Sequence, residues 1–355
     1  MLALVGHAFG AGGGIAQYNR DFLGSLAATD LVSGIEILPR GGPHVATTPA
    51  KIVQRRPRFA PPLYAAAALA RAATAPFDLV FCGHLYMAPL AAIVARLARA
   101  RLIIQTHGVE AWPKPTDLQR AAVERADLVL SVSRHTRAQV LNWANIAPEK
   151  VAVLPDTVGE AFTPGDGAAL RARLGLTGAR ILLTVGRMDG RERYKGHDRT
   201  IRVLPALIQR WPEVKYVVLG EGDDRPRLEQ LARDEGVSDH VRFLGPVDEA
   251  TLIEAYRMAD VFVMPSTGEG FGIAYLEAMA CGTPAVALDA GGARDALAEG
   301  RLSLLATESA FLDRLRELLS GPKPERVALA QAVRQRFGKA VFEAEQKRLF
   351  ERLCG

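Results

Sequence analysis

Met264-Pro265-Ser266-Thr267-Gly268-Glu269-Gly270-Phe271-Gly272-Ile273-Ala274-Tyr275-Leu276-Glu277 runs off an apolar strand predicted over 260–264. It passes through a glycine-rich turn and enters a helix predicted over 272–280. Helix N-termini leave backbone N–H groups without intrahelical partners, and a glycine loop offers them to phosphate oxygens. Glu269 lies in the turn and Glu277 two helical turns further on. A carboxylate set directly at that N-terminus would repel a phosphate, so the two acids suit uncharged hydroxyl groups on either side of it. A diphosphate flanked by two polyhydroxylated rings is a nucleotide sugar, and such a donor is the first ligand the chain suggests.

Outward from this stretch, short apolar runs alternate with helical periodicity along the chain. Strands are predicted at 2–9, 77–82, 101–106, 127–132 and 151–154 in the first half. They recur at 180–185, 214–219, 241–244, 260–264, 284–288 and 302–305 in the second. Helices are predicted at 15–26 and 90–99, then at 200–210, 225–234, 249–258 and 272–280. Strands alternating with helices predict an α/β fold of two successive Rossmann-like domains with parallel sheets. The join falls within 155–178, where Pro164, Gly165 and Gly167 interrupt the pattern. The segment 327–353 reads as one or two amphipathic helices with no strand after them.

Bulk properties exclude several classes. A chain of 355 residues, 49% hydrophobic and 23% charged, is globular and long enough for two domains. No run approaches the roughly 18 apolar residues that span a bilayer. The start, Met1-Leu2-Ala3-Leu4-Val5-Gly6-His7, lacks a basic flank and reads as a strand rather than a signal peptide. Cys82, Cys281 and Cys354 form no Cys-x-x-Cys pair, which fits a reducing, cytoplasmic setting without a zinc site.

Charge is uneven: residues 1–160 hold 16 Lys+Arg against 11 Asp+Glu, whereas the remainder balances at 28 and 28. The densest patch is Lys51-Ile52-Val53-Gln54-Arg55-Arg56-Pro57-Arg58, followed by Phe59 and an Ala-rich stretch over 63–73. A basic patch beside an amphipathic segment can hold a protein on an anionic membrane surface, at about 1 kcal/mol per basic residue. A solvated loop is the alternative. Nucleic acid is not expected as a partner, because no aromatic residues interleave the patch.

Five clusters sit at or just beyond predicted strand C-termini, the edge where open α/β sheets bind ligands. Gly10-Ala11-Gly12-Gly13-Gly14 follows the first strand; it fails as a dinucleotide fingerprint because Ile15 occupies the third glycine position. Thr106-His107-Gly108-Val109-Glu110 follows the strand at 101–106. Gly186-Arg187-Met188 and, after Arg191 and Arg193, Lys195-Gly196 place two cations where they can neutralise a diphosphate, or form a solvated loop. Leu219-Gly220-Glu221-Gly222 suggests either close backbone approach or a plain turn. The fifth cluster is the opening stretch. No Asp-x-Asp pair occurs, so no metal site is expected, and charge neutralisation falls to Arg187, Lys195 and the helix N-terminus.

Together these clusters resemble the family-4 retaining glycosyltransferases of the GT-B fold, over nearly the whole chain and most strongly over 185–292. The Glu269-Gly270-Phe271-Gly272…Glu277 pattern is similar to the family's Glu-x7-Glu motif. The resemblance implies that Glu277 binds the nucleotide ribose, that Glu269 contacts the donor sugar, and that amides from Gly270 through Phe271 and Gly272 to Ile273 hold the phosphates. It implies that Gly186, Arg187 and Lys195 grip the diphosphate, that Gly13 and Gly14 face the acceptor, and that His107 lies near the anomeric carbon. Val247, after Phe243-Leu244-Gly245-Pro246, resembles the backbone that touches the base. The chain departs from the family in having Pro155-Asp156-Thr157-Val158 where Asn-Gly is frequent, and extra residues between Arg187 and Lys195.

The implied architecture is two Rossmann-like domains facing a central cleft: 1–158 on the acceptor side, 159–325 binding the nucleotide sugar, and a C-terminal helix over 326–355 returning to the first domain. The implied activity is a retaining, metal-independent hexosyl transfer from a nucleoside diphosphate sugar to a lipid-linked or polysaccharide acceptor. The basic first domain adds the expectation of a cytoplasmic protein that can sit peripherally on the inner face of the plasma membrane. Rivals are an epimerase or phosphorylase on the same scaffold, a non-catalytic nucleotide-sugar-binding subunit and, most weakly, a dehydrogenase.

Overall fold

Apolar runs of three to six residues become strands because both faces of each sheet are covered by helices, so nearly every strand position is buried. The computed structural model describes all residues except His44, Ala46, Lys323, Pro324 and Gly355; the side chain of Cys354 also lies outside the described residues. The chain forms two compact units, one of Met1–Thr157 with Ala340–Gly355, the other of Val158–Lys339.

The strands of the first unit are β1 (Leu2–Val5), β2 (Ile35–Pro39), β3 (Ile52–Gln54), β4 (Leu79–Cys82), β5 (Arg101–Thr106), β6 (Leu128–Ser131) and β7 (Val151–Val153). They pair in parallel in the order β3-β2-β1-β4-β5-β6-β7. The second unit contains β8 (Arg180–Val185), β9 (Val214–Leu219), β10 (Val241–Gly245), β11 (Val261–Met264), β12 (Ala285–Leu288) and β13 (Leu304–Ala306). Their order is β10-β9-β8-β11-β12-β13, again all parallel. Both are doubly wound Rossmann-like sheets.

Several expectations are corrected. The first strand ends at Val5 rather than at residue 9. Beyond it, the Gln54 side chain accepts from the Phe9 N–H and donates to the Phe9 carbonyl, each at 3.1 Å, drawing the chain into a loop. Gln54 belongs to β3, which with β2 was not predicted; Ile52–Gln54 is a strand inside the basic patch. Arg55 of that patch pairs with Glu36 at 3.0 Å, and Arg71 holds the same carboxylate at 2.7 Å. The amphipathic segment that follows is the helix Pro61–Thr74. It turns Tyr64, Ala68 and Ala72 into the core, and Tyr64 donates to the Leu38 carbonyl at 3.0 Å. What stays exposed there is Val53, Phe59 and Leu63, with Arg56 and Arg58.

The segment assigned as one C-terminal unit over 326–355 divides at Gly338. The helix Arg326–Phe337 stays with the second unit, where the Arg326 guanidinium donates to the carbonyls of Arg257 (2.7 Å) and Ala259 (3.3 Å). The helix Lys339–Cys354 packs, from Ala340 onward, on the first unit. Gln346 donates to the Phe22 carbonyl at 2.8 Å, and Phe350 lies 6.0 Å from the Phe22 ring, which itself stacks on Phe81 at 4.5 Å. Among the described residues no helix is long and apolar enough to cross a membrane.

Phe350 is 1% exposed. Phe350→Ala should therefore destabilise the first unit by about 3–5 kcal/mol, as for other buried Phe truncations. Denaturant unfolding should show the first unit's transition moving to lower concentration while that of the second stays in place; an unmoved first transition contradicts this packing.

Candidate active site

Strand order reverses between β1 and β4 in the first sheet and between β8 and β11 in the second, and ligands of open α/β sheets bind beyond the strand ends at such a point. Gly13 and Gly14 lie on the loop after β1, and His107 directly after β5. Gly186 and Arg187 follow β8, while Glu269, Gly270, Phe271 and Gly272 follow β11. Val247 is half-buried, beyond β10 at the outer edge of the second sheet.

In the second unit the loop after β11 is fixed by its neighbours. The Glu269 carbonyl accepts the Gly292 N–H at 2.8 Å, and a Cβ on Gly292 would lie 1.9 Å from the Gly270 carbonyl oxygen, so only glycine permits this approach. Phe271 is 2% exposed and meets Phe337 edge-on at 5.5 Å. Gly272 then turns the chain at φ +99°, with the Tyr275 ring 2.5 Å from where a Cβ would be. It precedes the helix Ile273–Ala280, whose N-terminus no side chain caps. The first amide there to find a backbone acceptor is that of Tyr275, bonded to the Gly272 carbonyl at 3.0 Å. The amides from Gly270 to Ile273 lie ahead of that bond, at a helix start of the kind that can receive an anion.

Glu269 meets a cation. Its Oε1 accepts from Lys195 Nζ at 2.9 Å, with the two side chains only 13% and 16% exposed. Burial pulls the Lys195 ammonium pKa down, but the adjacent Glu269 carboxylate, with Tyr194 and Glu192, outweighs it and the net shift is upward. Lys195 ends a short turn, Arg193–Lys195, ahead of the helix His197–Ile208, and its stem passes 3.5 Å from the position of a Cβ on Gly186. Arg187 pairs instead with Glu192, and its side chain is 71% exposed. The two cations expected to act together therefore rest on different carboxylates, although the charge of Glu192 also acts on Lys195. The intervening arginines are held too: Arg191 by Asp189 at 3.3 Å, and Arg193 by Asp224 at 3.0 Å. The Leu219–Gly222 segment clamps this loop, accepting the Gly186 N–H on Leu219 (3.0 Å) and the Met188 N–H on Glu221 (2.9 Å).

Glu277, half-buried on the helix after the loop, accepts at Oε2 from the Tyr256 hydroxyl at 2.7 Å. Neither Tyr256 nor Gly292 was picked out from the sequence. Tyr256 reads there as a core aromatic, and only the Gly291-Gly292 pair after a strand signalled a close approach.

In the first unit, Gly13 precedes the helix Gly14–Ala27, which also has no side-chain cap. The loop is anchored from beneath, Asn19 donating to the His7 carbonyl at 2.8 Å and Arg20 to the Ala8 carbonyl at 3.2 Å. His107 Nε2 lies 2.9 Å from the Gly83 carbonyl, which only accepts, so Nε2 carries the proton and Nδ1 is the acceptor in the neutral ring. Glu110 takes the His107 backbone N–H at 2.5 Å, and Tyr18 meets the imidazole edge-on at 5.2 Å. Burial pushes the His107 pKa down to about 4; the charge of Glu110 opposes that shift and His84 adds to it.

Because the folded pKa lies below the unfolded value of about 6.5, the unfolded chain binds this proton first, and stability falls as pH drops from about 6.5 towards 4. The imidazole Cε1–H resonance absent in His107→Gln should accordingly titrate near pH 4; a midpoint near 6.5 contradicts the assignment of a neutral acceptor.

The family model for glycosyl transferases group 1 matches residues 168–336, and that for glycosyltransferase family 4 matches residues 12–159. The chain is 35% identical over 248 residues to the D-inositol 3-phosphate glycosyltransferase of Corynebacterium urealyticum, a match covering 66% of this chain and 58% of the relative. It is 36% identical over 230 residues to the GDP-mannose-dependent alpha-(1-6)-phosphatidylinositol monomannoside mannosyltransferase of Mycolicibacterium smegmatis, covering 60% and 59%. These matches thus span less than two thirds of either relative. Among solved structures, sucrose-phosphate synthase from Thermosynechococcus elongatus superposes with a TM-score of 0.80 at 23% identity, covering 99% of this chain and 98% of that one. Anabaena HepE in complex with UDP and glucose gives 0.80 at 21%, covering 99% of both chains. At these identities the likeness is one of fold. One family model falls on each Rossmann-like unit, and the chain belongs to the family-4 glycosyltransferases, built on the GT-B fold.

Proposed function

We propose that the chain is a retaining hexosyltransferase, taking its sugar from a nucleoside diphosphate donor and forming an α-glycosidic bond to a hydroxyl of a lipid-linked or polysaccharide acceptor. The observation that carries this reading is the Lys195–Glu269 pair, set at 2.9 Å beside an uncapped helix N-terminus at the second sheet's switch point. As the bond from C1 to the diphosphate breaks, negative charge grows on the leaving group. Lys195, Arg187 and the amides of Gly270 to Ile273 are the groups that stabilise it, without a metal, by preorganised electrostatics. Arg187 reaches the diphosphate by exchanging Glu192 for phosphate, and its exposure leaves it room to do so.

Glu269 divides its carboxylate between Lys195 and the sugar hydroxyls, Glu277 takes the ribose, and His107 offers Nδ1 to a sugar hydroxyl. Retention without a protein nucleophile implies same-face attack, with a donor phosphate oxygen receiving the acceptor proton. UDP- and GDP-sugars are the donors to test first, because HepE was solved with UDP and the mycobacterial relative is named for GDP-mannose. That relative's name also favours a lipid-linked acceptor. Membrane contact, on this reading at the inner face of the plasma membrane, narrows to Arg56, Arg58, Phe59, Leu63 and Val53, since the apolar face of the adjoining helix is spent in the core.

Arg187→Ala and Glu269→Ala should each lower transfer by on the order of 10²-fold, the cost of losing one preorganised charge-stabilising contact. The assay follows formation of a new glycoside and its anomeric configuration by NMR; near-normal rates in both variants, or an altered free sugar as product, contradict the proposal. The protein should float with vesicles of phosphatidylglycerol and phosphatidylcholine at low salt, and release with added salt or on replacing Arg56 and Arg58 by Glu. Flotation that neither salt nor these substitutions affects, or no flotation at all, removes the membrane arm.

A further inference from the structure

We infer that Tyr256 is a positioning residue for nucleotide recognition, its hydroxyl fixing the Glu277 carboxylate in the orientation that receives the ribose. The inference rests on the reading of Glu277 as the ribose ligand and adds to it a group that aims this acid. Tyr256 lies on the helix Glu249–Met258 and Glu277 on the helix Ile273–Ala280, so the contact joins two separate elements of the second unit. The phenol is fully buried, and its oxygen donates to Glu277 Oε2 at 2.7 Å, the length of a charge-assisted bond. Phe162 at 6.0 Å and Phe262 at 5.8 Å meet the ring edge-on, and the Tyr256 carbonyl accepts from the buried Thr283 hydroxyl at 2.6 Å. Both ends of the residue are therefore fixed, and the hydroxyl has one direction in which to point.

The chemistry fits a permanent donor. Burial and the neighbouring Glu277 both push the phenol pKa well above its ordinary value, so the hydroxyl keeps its proton throughout the working pH range. Glutamate is among the side chains with most rotamer freedom to lose. A rigid donor on one carboxylate oxygen removes part of that freedom beforehand, so less is lost when a ribose diol binds. Gly272 and the Gly292 contact hold the phosphate end of the same helix. Tyr256 performs the corresponding task at the second turn.

The test is calorimetric titration of the whole chain with UDP and with GDP, each beside its 2′,3′-dideoxy form. In the wild type the ribonucleotide binds more tightly than its dideoxy partner. Tyr256→Phe, which keeps the ring and its packing, should reduce that preference by about tenfold, within the range for losing a hydrogen bond to a charged group. Dideoxy affinity should stay at the wild-type value, and in a Glu277→Ala background the same substitution should change neither affinity, because the coupling runs through the acid. A preference unchanged by Tyr256→Phe overturns the inference, as does an equal loss for both nucleotide forms, which marks a purely structural hydroxyl. Wild-type protein that binds neither nucleotide, or binds ribo and dideoxy forms equally, overturns the ribose reading itself.

Discussion

The Lys195–Glu269 ion pair joins the loops that leave two neighbouring strands, β8 and β11, at the switch point of the second sheet. Each side chain is mostly buried, and withdrawing a charge from water costs several kcal/mol unless a partner and further hydrogen bonds compensate. Much of the surrounding geometry serves that compensation. Thr267 donates its N–H to the Tyr194 carbonyl at 2.9 Å, binding the loop before Glu269 to the turn that carries Lys195. Gly292 and Phe271 secure the other side of the loop, and the uncapped helix start follows at once. A cation, an acid and a set of free amides are thereby presented together. Such a pair is weak as a stabilising device, and in the function proposed above it keeps opposite charges poised for a ligand that carries both phosphate and hydroxyl groups.

Alternation of strand and helix was legible over most of the chain because central parallel strands are buried on both faces and show as short apolar runs. The strands β8, β9 and β11 fall within a residue of their predicted limits. The strands β2 and β3 were not legible. β2 carries Glu36 among its apolar residues and ends in Pro39, while β3 is the edge strand, has three residues and is flanked by Lys51 and Arg55, and these features hid their pattern. The same brevity made the basic patch look like free surface, when Ile52 and Gln54 are buried and Arg55 is engaged by Glu36.

Within the site, residue types at strand ends were readable and their pairings were not. Nothing in the spacing of Arg187, Glu192 and Lys195 tells which cation a given acid will take, because that depends on how the loop after β8 folds over β9. Tyr256 lies 21 residues before Glu277, and only the packing of two helices brings the hydroxyl to the acid. The first unit shows the same limit. Tyr18 touches His107 on one side and Phe342 of the helix Lys339–Cys354 on another, so a histidine after β5 is buttressed, through Tyr18, by a residue more than two hundred positions away.

The most direct test of the account reverses the central pair in one variant, Lys195→Glu with Glu269→Lys. If the two residues act by their separate chemistry on diphosphate and sugar, the double variant regains thermal stability relative to either single reversal, while glycosyl transfer stays down by at least about 10²-fold. Recovery of transfer together with stability would show that the pair only ties two loops together, and would contradict the account.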